Sequence, residues 1–561
     1  MNIWAQSVAE TQIKDRHLND SGGFELTMTI FMKENSMKTK LMNLFCLIFI
    51  PILLALCGAS VVSAGNNPPG GKACAKGDTN CDQFMADSKE SRFEVAKSFN
   101  SHSQTKSTTL ATAIDAYIYG YPLILEEFTR QVMLASGQLK AMNQFTSTCY
   151  LLEPDDQDVK RPNNDTLYSQ AFLDLSTEPL ILKVPDTTGF YYVLQIMDAW
   201  TNTFSAPGTR TTGSSPQEFA IVGPDWKGHL PRPMKVIKSP TNMVWIIGRT
   251  QVKTDYPPEG TCLSPSYEDV WEIMQHYTLT SLSQWPDTEP SPLYCDDIPS
   301  VTSHLTPSEL VAQLTGVEFF QMLSDLMRDN PAAYQDKPAL KKFEAIDFVP
   351  GAPFNPPENM VADINKAPIN AILLMNEQWQ TLGDSVNAWR VTVSDIGTYG
   401  TNYLTRAAVA LHAPGANIPE DGFYPSTFNA LETIDGQIQA VQLNGSKKYI
   451  IHLDPVPPVK AFWSITVYDT DGLLVANPIC RYAIHSTDQA IEEGQTSVEI
   501  LLQADKPTDP ERIGFWLPIP GLSPDMDHPE LANFSLTLRM YWPDKTALKG
   551  KWVPPPVLIQ Q

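Results

Sequence analysis

The stretch FSLTLRMYW, residues 534–542, decides the reading of the fold. Phe534, Leu536, Leu538, Met540 and Trp542 fall on one side of an extended chain, and Ser535, Thr537, Arg539 and Tyr541 on the other. Alternation with a period of two and one apolar face is what a strand of an antiparallel sandwich requires. The same reading applies to GFYYVLQIMDAW, residues 189–200, where Phe190, Tyr192, Leu194 and Ile196 alternate with Tyr191, Val193, Gln195 and Met197.

Further strands are expected at 167–175, 180–184, 218–222 and 243–250, separated by Pro/Gly turns, and again at 461–469 and 497–503. Helical spacing marks 111–139, where Pro122 should start a new helix or kink the first. It recurs over 267–282, 307–327 and 369–388. The order strands, helices, strands excludes a doubly wound parallel sheet. The expected fold is mainly β with α: two antiparallel β-sandwich domains joined by a helical segment, at 108–255, 256–395 and 396–561.

Upstream, Lys38 and Lys40 precede an apolar run from Leu41 to Leu56, and Val62-Ser63-Ala64 offers a cleavage site before Gly65. Residues 37–64 therefore read as a signal peptide, 1–36 as a mis-assigned leader and 65–107 as a loose arm. Cys57 also sits in a lipobox-like context, with bulky Leu56 before it. The expected location is periplasmic or secreted, with no membrane span after cleavage. The mature chain keeps six cysteines, Cys74, Cys81, Cys149, Cys262, Cys295 and Cys480, which permits up to three disulfides. Cys74 with Cys81 and Cys262 with Cys295 are the candidate local pairs.

A net charge of −23 disfavours nucleic acid and anionic lipid as partners. There is no GxxxxGK[ST], GxGxxG, GxSxG, HExxH or EF-hand pattern, which removes the usual arguments for nucleotide, serine-hydrolase, zincin and calcium functions. No metal and no cofactor are expected.

Three polar clusters remain. RPNNDTLYS, residues 161–169, brings Asn163, Asn164, Asp165 and Tyr168 to a turn before a strand, where the bland alternative is an Asx-turn. Asp198, Trp200 and Asn202 follow the strongest strand, with Arg210 shortly after; an aromatic beside orienting polar groups suits a sugar or other small molecule. The bland alternative buries Trp200 and pairs Asp198 with Arg210. The third cluster holds Trp463, Tyr468, Asp469, Arg481, Tyr482 and His485, with an Asp469–Arg481 ion pair and His485 as an acid or base. His452 and Asp454 share a strand face but are too few to hold a metal.

RPNNDTLYS, GFYYVLQIMDAWTNTF, GTRTTG, FAIVGPDW and SPTNMVWIIGRT over about 113–252 resemble the DUF1254 domain. YGTNYLTRA, VPPVKAFWSITVYD, LVANPICRYAI, FWLPIP and LTLRMYWP over about 397–557 resemble the DUF1214 domain. Phe190, Asn402, Gly514 and the segment 483–486 depart from the usual pattern. The resemblance implies a pair of jelly-roll-like sandwiches with helices between them, often associating as an oligomer.

The function expected from the residues is binding of a small-molecule or glycan ligand by an exported protein, at Asn163, Asn164, Asp165, Tyr168, Asp198, Trp200, Asn202 and Arg210. The rival readings are an envelope hydrolase or lyase using Asp165 and Asp198, and a structural or surface-interaction homo-oligomer.

Overall fold

The computed structural model describes residues 107–156, 159–253, 266–286, 305–492, 494–522 and 529–560. The stretches expected to be a leader, a signal peptide and an arm, to residue 106, and both candidate disulfide pairs lie outside them.

The chain is mainly β, with two sandwiches and a layer of helices. The first sandwich is built around Met243–Gln251, a strand buried on both faces. Its sheet runs in the order Thr146–Ser147, Thr166–Asp174, Met243–Gln251, Tyr192–Asp198, Thr203–Ser205, all antiparallel. The facing sheet has the order Lys235–Lys238, Gln217–Val222, Leu180–Val184, Thr278–Ser281. Val244 and Ile246 enter the core between the sheets with Leu173, Leu182, Leu194 and Ile221. Met243, Trp245 and Ile247 point the opposite way, into the helices. A strand covered on both sides needs apolar residues at every position, which is why 243–247 reads as a continuous apolar run.

The helical layer is organised by Thr108–Ala135, capped by the Ser107 hydroxyl, which accepts from Leu110 N. It is one helix across Pro122. Around it pack Pro307–Gln313, Gly316–Leu326, Ala367–Thr381 and Tyr403–His412. The stretch 307–327 is two helices because Thr306 and Thr315 each close a capping box, with Glu309 and Glu318. The stretch 267–282 is a helix at Glu268–Gln275 and then the edge strand Thr278–Ser281, so part of the expected linker completes the first sandwich. Asp384–Val386 and Trp389–Val391 likewise join a sheet of the second sandwich. Among the described residues no helix is long and apolar enough to cross a membrane.

In the second sandwich, Ser535–Tyr541 lies between Trp463–Tyr468 and Ser426–Thr427. The opposite sheet has the order Gln437–Gln442, Asn429–Ile434, Val557–Ile559, Tyr449–Leu453, Val498–Gln503, Trp516–Pro518. Two of its contacts are parallel, Leu431 beside Leu558 and Leu501–Gln503 beside Trp516–Pro518. Phe534, Leu536, Leu538 and Met540 fill the core between the sheets, with Ile465, Ile451 and Ile500. Trp542 leaves the alternation: its φ of 49° ends the strand, and its ring packs with Tyr191, Phe462 and Tyr541.

Candidate functional site

The polar face of Ser535–Tyr541 is covered by the RPNNDTLYS turn of the first sandwich. Arg161, in the left-handed region at φ 52°, donates from its backbone N–H to Gly472 O at 2.7 Å. Its guanidinium reaches the hydroxyls of Ser535, at 3.0 Å, and Thr537, at 3.3 Å. Asn163 makes the Asx-turn: its Oδ1 accepts from Asp165 N at 2.6 Å, and its Nδ2 donates to Thr166 Oγ1 at 2.7 Å. The buried Asn164 donates to Leu152 O at 3.4 Å.

Asp165 is fully buried and pairs with His485 Nε2 at 2.9 Å, while its other oxygen accepts from Tyr541 Oη at 2.8 Å. Asp488 lies 3.4 Å from His485 Nδ1. Arg539 donates to Thr466 Oγ1 at 2.8 Å and to Tyr468 Oη, and Tyr468 donates to Pro162 O at 2.6 Å. Burial opposes ionisation of Asp165, yet His485, Arg539 and Tyr541 hold its carboxyl below the usual carboxylate range. Burial likewise opposes the His485 cation, but Asp488 and Asp165 override it and push the imidazole up to about 10. The two buried carboxylates thus favour the His485 cation and build the ring into the clasp. Tyr168 is half-buried, with the Arg249 guanidinium 5.3 Å from its ring centre. This cluster clasps the two sandwiches together.

Arg210 does not reach Asp198. It forms a two-pronged pair with Asp421 at 2.6 and 2.8 Å, another link between the sandwiches. The third cluster is also rearranged. Asp469 accepts from the backbone of Asp471 and Leu473, whereas Arg481 donates to the carbonyls of Ile513 and Trp516. Trp463 is core, and the exposed His452 lies 3.1 Å from Glu499. Among the described residues no group of three or more His, Cys, Asp or Glu could hold a metal.

Asp198, Trp200 and Asn202 stay together at the far end of the sheet. Asp198 pairs in register with Val244, and Thr166, next to Asp165, with Gln251. Seven residues of extended strand separate those registers, so the two ends lie roughly 23 Å apart. The eight residues expected to form one site therefore divide among the clasp, the Arg210–Asp421 pair and this end.

Here a small cleft, open to solvent, is lined by Asp198, Trp200, Asn202, Asp336, Gly400 and Arg406. Asp198 Oδ1 accepts from the backbone of Trp200 and Asn202, each at 2.9 Å, and Oδ2 takes Asn202 Nδ2 at 3.2 Å. Burial pushes the Asp198 carboxyl up to about 6, against the lowering effects of the Asn202 amide and Arg406. Trp200 donates to Pro331 O at 3.2 Å, and its ring lies against Arg406 and Tyr119, so it braces the site from behind. Asp336 accepts from Tyr403 Oη at 2.9 Å and Tyr119 Oη at 3.2 Å. Glu126, buried in the helix behind, is raised well above its ordinary value by burial and then by Asp198.

Arg406, Asp336 and Glu126 escaped the reading of the sequence. For two of them a signal exists: a charge inside an apolar helical run, as in LILEEF at 123–128 and LTRAAVAL at 404–411. Such a charge is buried only with a partner or a task.

Residues 142–261 match the family described as "Protein of unknown function (DUF1254)", and residues 430–545 match "Protein of unknown function (DUF1214)". No curated protein matches the chain. The fold is similar to the crystal structure of the VPA0106 protein from Vibrio parahaemolyticus, with a TM-score of 0.58 and 20% identity over 81% of this chain and 100% of that one. An uncharacterised protein from Burkholderia cenocepacia gives a TM-score of 0.34 at 11% identity, over 81% of this chain and 94% of that one. The chain thus carries a match to each of the two domain models, DUF1254 followed by DUF1214, on a fold with one sandwich for each.

Proposed function

We propose that the protein is exported and binds a small, polar, carbohydrate-like ligand in the cleft formed by Asp198, Asn202, Asp336 and Arg406, with Trp200 bracing it. The observation that carries this reading is the gathering of these groups around one opening. Asn202 and Asp198 supply amide and carboxyl partners for hydroxyls, and Arg406 supplies a cation. Export rests on the Lys-flanked apolar stretch ahead of Gly65. The Arg161–Asp165 turn has a structural part here, because its carboxylate and amides are consumed by the clasp.

A second reading, an envelope hydrolase or lyase, draws on one observation: Asp198 holds its proton up to about 6 beside a second carboxylate, Asp336. In that reading Asp198 is the proton donor.

A thermal-shift screen of metabolites and glycans against protein starting at Gly65 tests the binding reading. Hits should lose their stabilisation in Asn202→Ala and in Asn202→Asp, which sets a second carboxylate against Asp198. Hits indifferent to both substitutions would refute it. Turnover of a hit that stops in Asp198→Asn would favour the second reading.

A further inference from the structure

Arg406 is a buried charge at the cleft with a donor left over. It rises from the helix Tyr403–His412 and is 2% exposed. Nη2 donates to Tyr119 O at 2.9 Å. The rings of Tyr119, Trp200 and Tyr403 lie with their centres 5.3, 5.3 and 5.2 Å from its guanidinium carbon. These contacts hold the guanidinium among three rings. Nε finds no hydrogen-bond partner among the described residues, although the side chain lines the cleft. A buried, charged donor without an acceptor is destabilising, so it marks a place for one.

The acceptor chemistry follows from the group. A guanidinium edge held in place matches a planar carboxylate, which offers two oxygens and an opposite charge. Beside it, Asp198 and Asn202 offer the partners that a hydroxyl needs. The space is short and opens to solvent, which limits the ligand to a few heavy atoms in contact with these groups. We infer that the cleft takes a small hydroxycarboxylate, its carboxylate on the Arg406 edge and its hydroxyl on Asp198 and Asn202. This inference rests on the cleft being the ligand site.

An anion here meets opposing charges. Asp198 faces Glu126 from the long helix, Arg406 from its own helix and Tyr399 from the loop before it, and Asp336 shares the cleft. Protonation of Asp198 removes a negative neighbour and frees an O–H donor. The carboxylate should therefore bind more tightly as pH falls through about 6. An uncharged polyol should show no such gain.

Isothermal titration of the protein starting at Gly65 with D-glycerate and with glycerol, which share a skeleton and differ by one carboxylate, tests this at about pH 5.5 and about pH 7.5. Glycerate should bind at least about tenfold more tightly than glycerol, and several-fold more tightly at the lower pH. Asp198→Asn should flatten the pH dependence, and Arg406→Lys should erase the preference for glycerate. Should Arg406→Lys fail to fold, the glycerate–glycerol difference and its pH dependence in the unaltered protein still decide the matter. Equal affinity for the two compounds, absence of glycerate binding, or tightening as pH rises would overturn the inference. If glycerate fails while a neutral hit still depends on Asn202, the hydroxycarboxylate falls and the cleft stands. If no ligand depends on Asn202, both fall.

Discussion

Asp165 of the first sandwich and His485 of the second form a 2.9 Å ion pair with both side chains withdrawn from solvent. The pair joins residues 320 positions apart in the chain, and Tyr541, Asp488 and Arg539 complete its environment. The turn that carries Asp165 is therefore an internal fastener.

Removing one partner should be costly, because a buried charge is left without its counter-ion. Asp165→Asn or His485→Gln should each lower stability by about 3–5 kcal/mol in urea titration. The double variant should lose less than the two single losses together, since the groups interact directly. Strict additivity would mean that the pair is incidental.

The same pair sets a pH response. The His485 pKa is raised in the fold, to about 10, so the stability it contributes is full below the unfolded value of about 6.5. That stability declines as pH rises and is gone above about 10. Denaturant midpoints should fall across this window, and His485→Gln should shallow the slope. A slope unchanged in the variant would place the alkaline loss elsewhere.

Asp198 should behave in the opposite manner to a stabilising carboxylate. Its folded value, about 6, lies above the ordinary one, so its contribution is lost as pH rises through about 6. Asp198→Asn should raise stability near neutral pH by about 1–3 kcal/mol. A destabilised variant would show that the hydrogen bonds from Trp200 and Asn202 outweigh the buried charge.

Export predicts chemistry at the chain's ends and thiols. Sequencing of the mature protein should begin at Gly65, and non-reducing peptide mapping should find all six remaining cysteines in disulfides. Free thiols on cytoplasmic protein that retains Lys38 and Lys40 would refute it.

The strands were legible because alternation is local: Leu180–Val184 and Met243–Gln251 appear close to where 180–184 and 243–250 were expected. What alternation hides is the fate of a polar face. Ser535, Thr537, Arg539 and Tyr541 read like a solvent side, yet they are buried beneath Arg161–Asp165, some 370 residues earlier. Periodicity reports that a face is polar, not what covers it. The site was half legible for the same reason. Asp198, Trp200 and Asn202 are contiguous and follow a strong strand, whereas Asp336 and Arg406 reach them from other helices. Asp165 and Asp198 looked alike in sequence, and strand register put them at opposite ends of one sheet.

The most direct test of the cleft is a crystal structure of the protein starting at Gly65, soaked with the strongest hit of the ligand screen. Ligand density touching Asp198, Asn202 and Arg406 is the predicted result. Density at the Arg161–Asp165 turn, or an ordered cleft holding only water beside a ligand bound elsewhere, would contradict the account.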